Sequence, residues 1–286
     1  GNFLIIPFDM IHEILPHHFD NSFRPCSVPE PDNFILIFSG NSVLLKDGGD
    51  EPELPIFNDI HLLVGTSVFI YLFRVDNNPC FLANIEIDIP PSGFRFTDIG
   101  FFRTTQRAET AWICLAGIHL RDWYQANQYC GVCGSSTRHS ESERALVCSA
   151  CNRSVYPRIS PAVIVAIVCG DHILLARGTG FSTGRYSLVA GYVDVGETPE
   201  ETVHREVKEE LGIAVSNIRY YKSQPWPLSG SLMLGYVAEA DINQPLQTDP
   251  NEIAEAAWFR RGHLPPHSLS LSIAGEMIEK FEKGEL

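Results

Sequence analysis

Over the first hundred residues the apolar positions come in short β-branched and aromatic bursts. FILIFSG (34–40), SVLLK (42–46), HLLVGTSVFIYLFRV (61–75) and FLANIEIDI (81–89) are separated by Gly, Pro and Asn, which predicts strands. From Thr105 to about Asn127 the period lengthens: Ala108, Ala111, Leu115 and Ile118 share one stripe, which predicts a helix. SPAVIVAIVCG (160–170) and HILLA (172–176) then predict a hairpin turned at Gly170-Asp171. Within GYVDVGETPEETVHREVKEELGI (191–213) a helix is punctuated at both ends. Thr198 can N-cap it, Pro199 fits its first position, Glu201 completes a capping box, and Gly212 suits the stop. A last helix is expected over about 269–282. The order of elements predicts an α+β chain, with short strands and helices making a mixed sheet between helices in the C-terminal part.

That pattern divides the chain into a β-rich domain (1–102), a connecting helix (103–128), a cysteine-rich segment (129–157) and a C-terminal domain (158–286). With 286 residues, 44% hydrophobic and 20% charged, the chain can bury a full core, and extended disorder is excluded. Lys+Arg 21 against Asp+Glu 35 gives a net charge of −14, a surface that repels phosphates on average. A phosphate-bearing substrate therefore requires a local positive field or a bound cation. The apolar stretch Ile159–Gly170 is too short to span a bilayer, and the start, GNFLIIPFDMIHEIL, lacks the basic region of a secretory signal. The expectation is a cytoplasmic protein with no membrane partner.

Cysteine adds chemistry. Cys130, Cys133, Cys148 and Cys151 form C-x2-C-x14-C-x2-C, the spacing of two knuckles that aim four thiolates at one tetrahedral Zn²⁺. Two disulfides are the alternative, disfavoured in a large chain without a secretory signal. With four cysteines bound no coordination position remains open, so the expected zinc is structural. Arg138 and Arg144 are the fixed cations of 130–151, too few to make the segment a nucleic-acid binder by itself. Cys26, Cys80, Cys114 and Cys169 read as small core residues.

On the helix after Thr198, Val203, Val207 and Leu211 form an apolar stripe, with Glu206, Glu209 and Glu210 beside it. A solvated acidic face is the plain explanation of such a run. The spacing of Gly191, Glu197, Arg205, Glu206, Val207, Glu209, Glu210, Gly212 and Ile213, however, resembles the Nudix box at every defined position. The resemblance implies a Nudix α/β/α sandwich that holds Mg²⁺ or Mn²⁺ to hydrolyse a nucleoside diphosphate linked to another moiety. It makes Glu206, Glu209 and Glu210 catalytic and metal-binding, with the carbonyl of Ala190 and the loop residue Glu252 as further metal ligands. Arg205 and Glu197 are expected to brace the loop. Oxygen ligands suit a hard divalent cation, which would neutralise a pyrophosphate.

SQPWP at 223–227, followed by Ser231-Leu232-Met233, resembles the motif of NADH pyrophosphatases, which also carry a four-cysteine ribbon upstream. Leu228 and Ser229 depart from that subfamily's Phe-Pro. The resemblance implies a substrate wall of Gln224, Pro225, Trp226, Pro227, Leu228, Ser229, Gly230 and Ser231, with Tyr192 stacking on a ring. Tyr156 matches a tyrosine that reaches substrate across a dimer interface, and Glu143, Ala274 and Arg103 match substrate-contacting positions. The implied protein is a homodimeric, zinc-containing hydrolase that splits NADH or NAD⁺ into nicotinamide mononucleotide and AMP. Removal of an NAD cap from RNA is the alternative substrate reading. A non-catalytic sensor of ADP-ribose or NAD is the alternative of another class, and the intact box argues against it.

Overall fold

The computed structural model describes residues 10–24, 28–48, 51, 53–65, 68–87, 89–103, 107–180, 184–268 and 271–286. They fall into two units: Glu13–Arg158, and Ile159–Leu286 joined by the segment that ends at His12. Met10 to His12 thus belong with the C-terminal domain, because Met10 is buried in its core and the Ile11 N–H donates to Leu271 O at 3.0 Å.

In the unit Glu13–Arg158 the strands are β1 (Phe19–Asp20), β2 (Phe34–Leu36), β3 (Phe38–Ser39), β4 (Ser42–Lys46), β5 (Phe69–Val75), β6 (Asn78–Ala83) and β7 (Phe94–Asp98). They form two small sheets, ordered β1-β5-β6-β2 and β3-β4-β7. The expected strand 34–40 is split because the chain changes sheets at Ile37, β2 pairing with β6 and β3 with β4. The expected strand 61–75 is wrong in its first part. Phe57–Val64 is helix α1: Asp59 accepts from the Ile56 N–H at 3.1 Å, Ile60 and Val64 are buried one turn apart, and Gly65 stops it at φ 50°. The expected strand 81–89 ends at Ala83, which faces Phe69, the first residue of its partner β5. A 3-10 turn at Ile99–Arg103 precedes helix α2 (Ala108–Ala126), which buries Ala111, Leu115 and Ile118 as the stripe predicts. Strands β8 (Thr137–His139), β9 (Leu146–Cys148) and β10 (Ser154–Val155) make the antiparallel ribbon. Cys80 and Cys114 are buried and Cys169 half-buried, whereas Cys26 lies outside the described residues.

In the C-terminal unit β11 (Ser160–Cys169) and β12 (His172–Gly178) form the predicted hairpin, turned at Gly170 with φ 57°. β13 (Val189–Tyr192), helix α3 (Pro199–Leu211), β14 (Ser216–Trp226), β15 (Ser231–Glu239), β16 (Ile253–Arg260) and helix α4 (Ile273–Lys283) complete it. The sheet runs β14-β15-β11-β12-β16, with β13 also on β11; β11 and β15 are parallel and the other pairs antiparallel. Alternation along β11 sets the layers. Val163, Val165 and Ile167 pack with Val203, Val207 and Leu211 of α3, while Ile164 and Ala166 pack with Met277, Ile278 and Phe281 of α4. Helices on both faces of a mixed sheet make the expected α/β/α sandwich. Each fully buried Val or Leu of α3 contributes roughly 1.5–3 kcal/mol, which anchors the acidic stripe beside it.

Candidate active site

The punctuation read from the sequence is realised at α3. Thr198 Oγ1 accepts from the Glu201 N–H at 3.2 Å, the Thr198 N–H donates to Glu201 Oε2 at 2.8 Å, and Gly212 ends the helix at φ 75°. Arg205 ties this helix to the loop before it. Its Nε and Nη2 donate to the two oxygens of Glu197 at 2.6 and 2.9 Å, and Nη2 also reaches Tyr192 O at 3.0 Å. Its Nη1 donates to Glu206 Oε1 at 2.7 Å and to Glu209 Oε2 at 3.0 Å. The bidentate guanidinium, with help from the Asp194 N–H and the Thr202 hydroxyl, holds the Glu197 carboxyl down at about 2. Glu197 and Arg205 therefore brace the loop, as expected.

The three glutamates of the stripe sit in different surroundings. Glu209 is 60% exposed, Glu206 is 12% exposed, and Glu210 is buried. Burial, reinforced by the charges of Glu206, Glu252 and Glu209, pushes the Glu210 carboxyl up to about 8. The charges of Glu206, Glu209 and Glu252 all bear on buried Glu210, a repulsion that a divalent cation would relieve. Glu206 lies so close to β13 that a Cβ on Gly191 would come within 1.9 Å of its carboxyl carbon, which accounts for the glycine there.

A cleft of about 630 Å³ opens over this stripe. Ala190, Tyr192, Arg205, Glu206, Glu209, Ser229, Ser231 and Glu252 line it, so the structure brings together residues from β13, α3, the turn before β15 and the loop before β16. Tyr192 is 54% exposed and its hydroxyl lies 3.5 Å from Ser231 Oγ, which is in turn 2.8 Å from Ser229 Oγ. Ala162, Val193 and Asp194, which no sequence motif marks as site residues, also line the cleft, as does Met233 of the Ser231-Leu232-Met233 run. Alternation along β11 and β15 was the available signal for Ala162 and Met233, which are register partners.

The expected substrate wall is only partly at the cleft. Gln224 is fully buried: its Nε2 donates to Leu271 O at 3.0 Å and its Oε1 accepts from the Ile273 N–H at 2.8 Å. Its side-chain amide is engaged at the start of α4. Ala274 is likewise buried, in the core beneath α4 rather than at the cleft. Pro225, Trp226, Pro227, Leu228 and Gly230 shape the end of β14 and the 3-10 turn Pro227–Ser229 without lining the cleft. Arg103, Glu143 and Tyr156 belong to the other unit. There Tyr156 is 54% exposed and donates its hydroxyl to Glu143 Oε1 at 3.0 Å.

The ribbon cysteines converge. All four Sγ atoms lie within 4.8 Å of one another, with Cys130–Cys151 at 3.7 Å and Cys133–Cys148 at 3.4 Å. These are not disulfide distances. Zn–S bonds of about 2.3 Å in a tetrahedron place sulfurs about 3.8 Å apart, so the set fits zinc. Backbone N–H groups of Val132, Ala150 and Cys151 point at the Cys130 and Cys148 sulfurs at 3.4–3.5 Å and favour the thiolates that a metal needs. Among the described residues no helix is long and apolar enough to cross a membrane.

Known proteins align with each part. Residues 158–281 match a family model described as a NUDIX domain, 125–156 match the NADH pyrophosphatase zinc ribbon domain, and 32–123 match an NADH pyrophosphatase-like rudimentary NUDIX domain. The chain is 42% identical over 182 residues to the NAD-capped RNA hydrolase NudC of Escherichia coli O1:K1 / APEC, covering 64% of this chain and 67% of that protein. It is 44% identical over 166 residues to the NAD-capped RNA hydrolase NudC of Photorhabdus laumondii, covering 57% and 63%. A crystal structure of a NUDIX hydrolase from Nitrosomonas europaea aligns with TM-score 0.48 and 19% identity, covering 55% of this chain and 90% of that one.

Proposed function

Because the chain belongs to the Nudix hydrolases, in their NADH pyrophosphatase branch, we propose that it hydrolyses the pyrophosphate bond of NADH or NAD⁺ to nicotinamide mononucleotide and AMP. The observation that carries this reading is the carboxylate cluster around buried Glu210, set beneath a cleft walled by Tyr192 and the Ser229–Ser231 turn. Glu206, Glu209, Glu210, Glu252 and the carbonyl of Ala190 would hold Mg²⁺ or Mn²⁺. When bound there, such a cation would neutralise the pyrophosphate and polarise its phosphoryl oxygens. Arg205 fixes Glu206 and Glu209 through hydrogen bonds from its Nη1, so the two carboxylates need not reorganise. Tyr192 offers a ring face to a base, and the Ser229 and Ser231 hydroxyls can donate to the ribose or phosphate. Glu209 or Glu252, both exposed in the cleft, accepts the proton of the attacking water. Water adds across one P–O bond; one phosphate keeps the bridging oxygen and the other takes the new hydroxyl.

The structural zinc of the ribbon lies outside this chemistry. Tyr156 and Glu143, paired on the ribbon unit, complete the cleft of a neighbouring subunit in a cytoplasmic homodimer. NAD-capped RNA is a second substrate of the same kind, favoured by what the curated relatives are named for. It presents the same bond with a longer leaving group. Mass-spectrometric product analysis on NADH, NAD⁺, ADP-ribose and NAD-capped RNA tests the reading. AMP with nicotinamide mononucleotide from the free dinucleotides, or a 5′-monophosphate end on the RNA, supports it; intact substrates throughout, with a divalent cation present, oppose it.

A further inference from the structure

The unit Glu13–Arg158 contains a second pocket, of about 550 Å³, between β5, α2 and the ribbon. Phe69, Tyr71, Tyr124 and His139 give it aromatic walls, and Arg24 and Arg144 give it two guanidinium groups. Two features show that its polar lining is incomplete. Tyr71 is 5% exposed, yet its hydroxyl is buried without a hydrogen-bond partner. Arg144 is held by uncharged acceptors alone, with Nη1 donating to Asn21 Oδ1 at 2.6 Å and Nη2 to the carbonyl oxygen of Leu72, while its Nε is buried without a partner. Among the described residues no carboxylate pairs with that guanidinium, and burial lowers its pKa. A half-buried cation lacking a counter-ion, beside an orphaned phenol, is a costly arrangement that an anion would offset. Glu141 and Glu143 stand on the same pocket but are exposed, and Glu143 already accepts from Tyr156. Solvent screens them; it does not screen Arg144 to the same degree.

The geometry points to a binding site for a nucleoside monophosphate in this pocket, with its phosphate on Arg24 and Arg144 and its base against the aromatic wall. An inorganic anion alone would leave the aromatic wall unused, and a nucleoside alone would leave Arg144 without its counter-ion. The site is a second one, carried by the unit that lacks the carboxylate cluster, and it needs no divalent cation. Equilibrium binding of AMP, adenosine and inorganic phosphate to the full chain, without added Mg²⁺ or Mn²⁺, tests it. AMP is expected to bind about one per chain and about tenfold or more tighter than either fragment. Arg24→Gln should weaken AMP about tenfold and Tyr71→Phe about fivefold, in line with the loss of one charged and one neutral hydrogen bond. Both variants should hydrolyse NADH as the parent does, which separates this site from the proposed reaction. Phe keeps the Tyr71 ring, so a folding defect does not confuse the result. The proposal is overturned if AMP does not bind without the cation, if adenosine or phosphate binds as tightly, or if Tyr192→Ala abolishes binding while Arg24→Gln and Tyr71→Phe leave it intact.

Discussion

Replacing Glu210 with Gln should stabilise the cation-free protein while destroying its catalysis. The Glu210 carboxyl has an ordinary value of 4.5 and is raised to about 8 by burial and by Glu206, Glu252 and Glu209. A carboxyl raised in this way supports folding fully below 4.5 and progressively less as pH climbs towards 8, because the unfolded chain ionises it freely. At pH about 7 the folded state must hold it protonated across some 2.5 units, which costs about 3 kcal/mol at 1.36 kcal/mol per unit. Glutamine keeps the shape without that cost. Its gain should therefore grow with pH and vanish below pH about 4.5. For a domain of this size about 3 kcal/mol corresponds to a rise in Tm on the order of 10 °C. Thermal melts of parent and Glu210→Gln, without added divalent cation, at pH about 4.5, 6 and 8 provide the assay. Saturating Mg²⁺ or Mn²⁺ should shrink the difference by stabilising the parent selectively. No gain at pH about 8, or the same gain at every pH, would refute the account of Glu210 as a carboxyl crowded by its neighbours.

Gly191→Ala should lower NADH turnover by at least about tenfold with little change in Tm, since its Cβ displaces the flexible end of Glu206 rather than backbone; an active variant would show that the position of Glu206 is unimportant. The Glu197–Arg205 pair should persist in acid, because a carboxyl held at about 2 gives stability that is present above 4.5 and is lost only as pH falls towards 2; NMR titration of Glu197 with a midpoint near 4.5 would contradict it. Metal analysis of dialysed protein should find one zinc per chain, and Cys148→Ser should lose it together with stability. Light scattering should give a dimer, and a fully active monomer would remove Tyr156 and Glu143 from the site.

The box helix was legible because its determinants are local. Thr198, Pro199, Glu201 and Gly212 specify its ends, and Val203, Val207 and Leu211 its buried face, whatever surrounds them. The hairpin at Gly170 and the convergence of the cysteines were local for the same reason. Which glutamate would be buried was not legible, since a stripe at i, i+3 and i+4 does not say where the sheet ends until β13 and the Glu252 loop are in place. The burial of the Gln224 side chain was not legible for a tertiary reason: only the return of α4 supplies the partners of its amide. The first hundred residues showed their strands, but Leu62 and Leu63 beside Ile60 and Val64 masked α1 within an apolar run. A rudimentary Nudix domain was invisible there because that region has no acidic box to betray it.

The central claim is that the box glutamates hydrolyse a nicotinamide dinucleotide. AMP release from NADH with saturating Mg²⁺ or Mn²⁺, measured for the parent and for Glu209→Gln and Glu210→Gln, tests it most directly. The amide keeps shape and removes the charge that binds a cation beside the pyrophosphate, so turnover should fall by orders of magnitude in folded protein. Parent-like AMP release from both variants would mean that the stripe is a solvated acidic face, and that the reaction assigned to it is performed elsewhere or not at all.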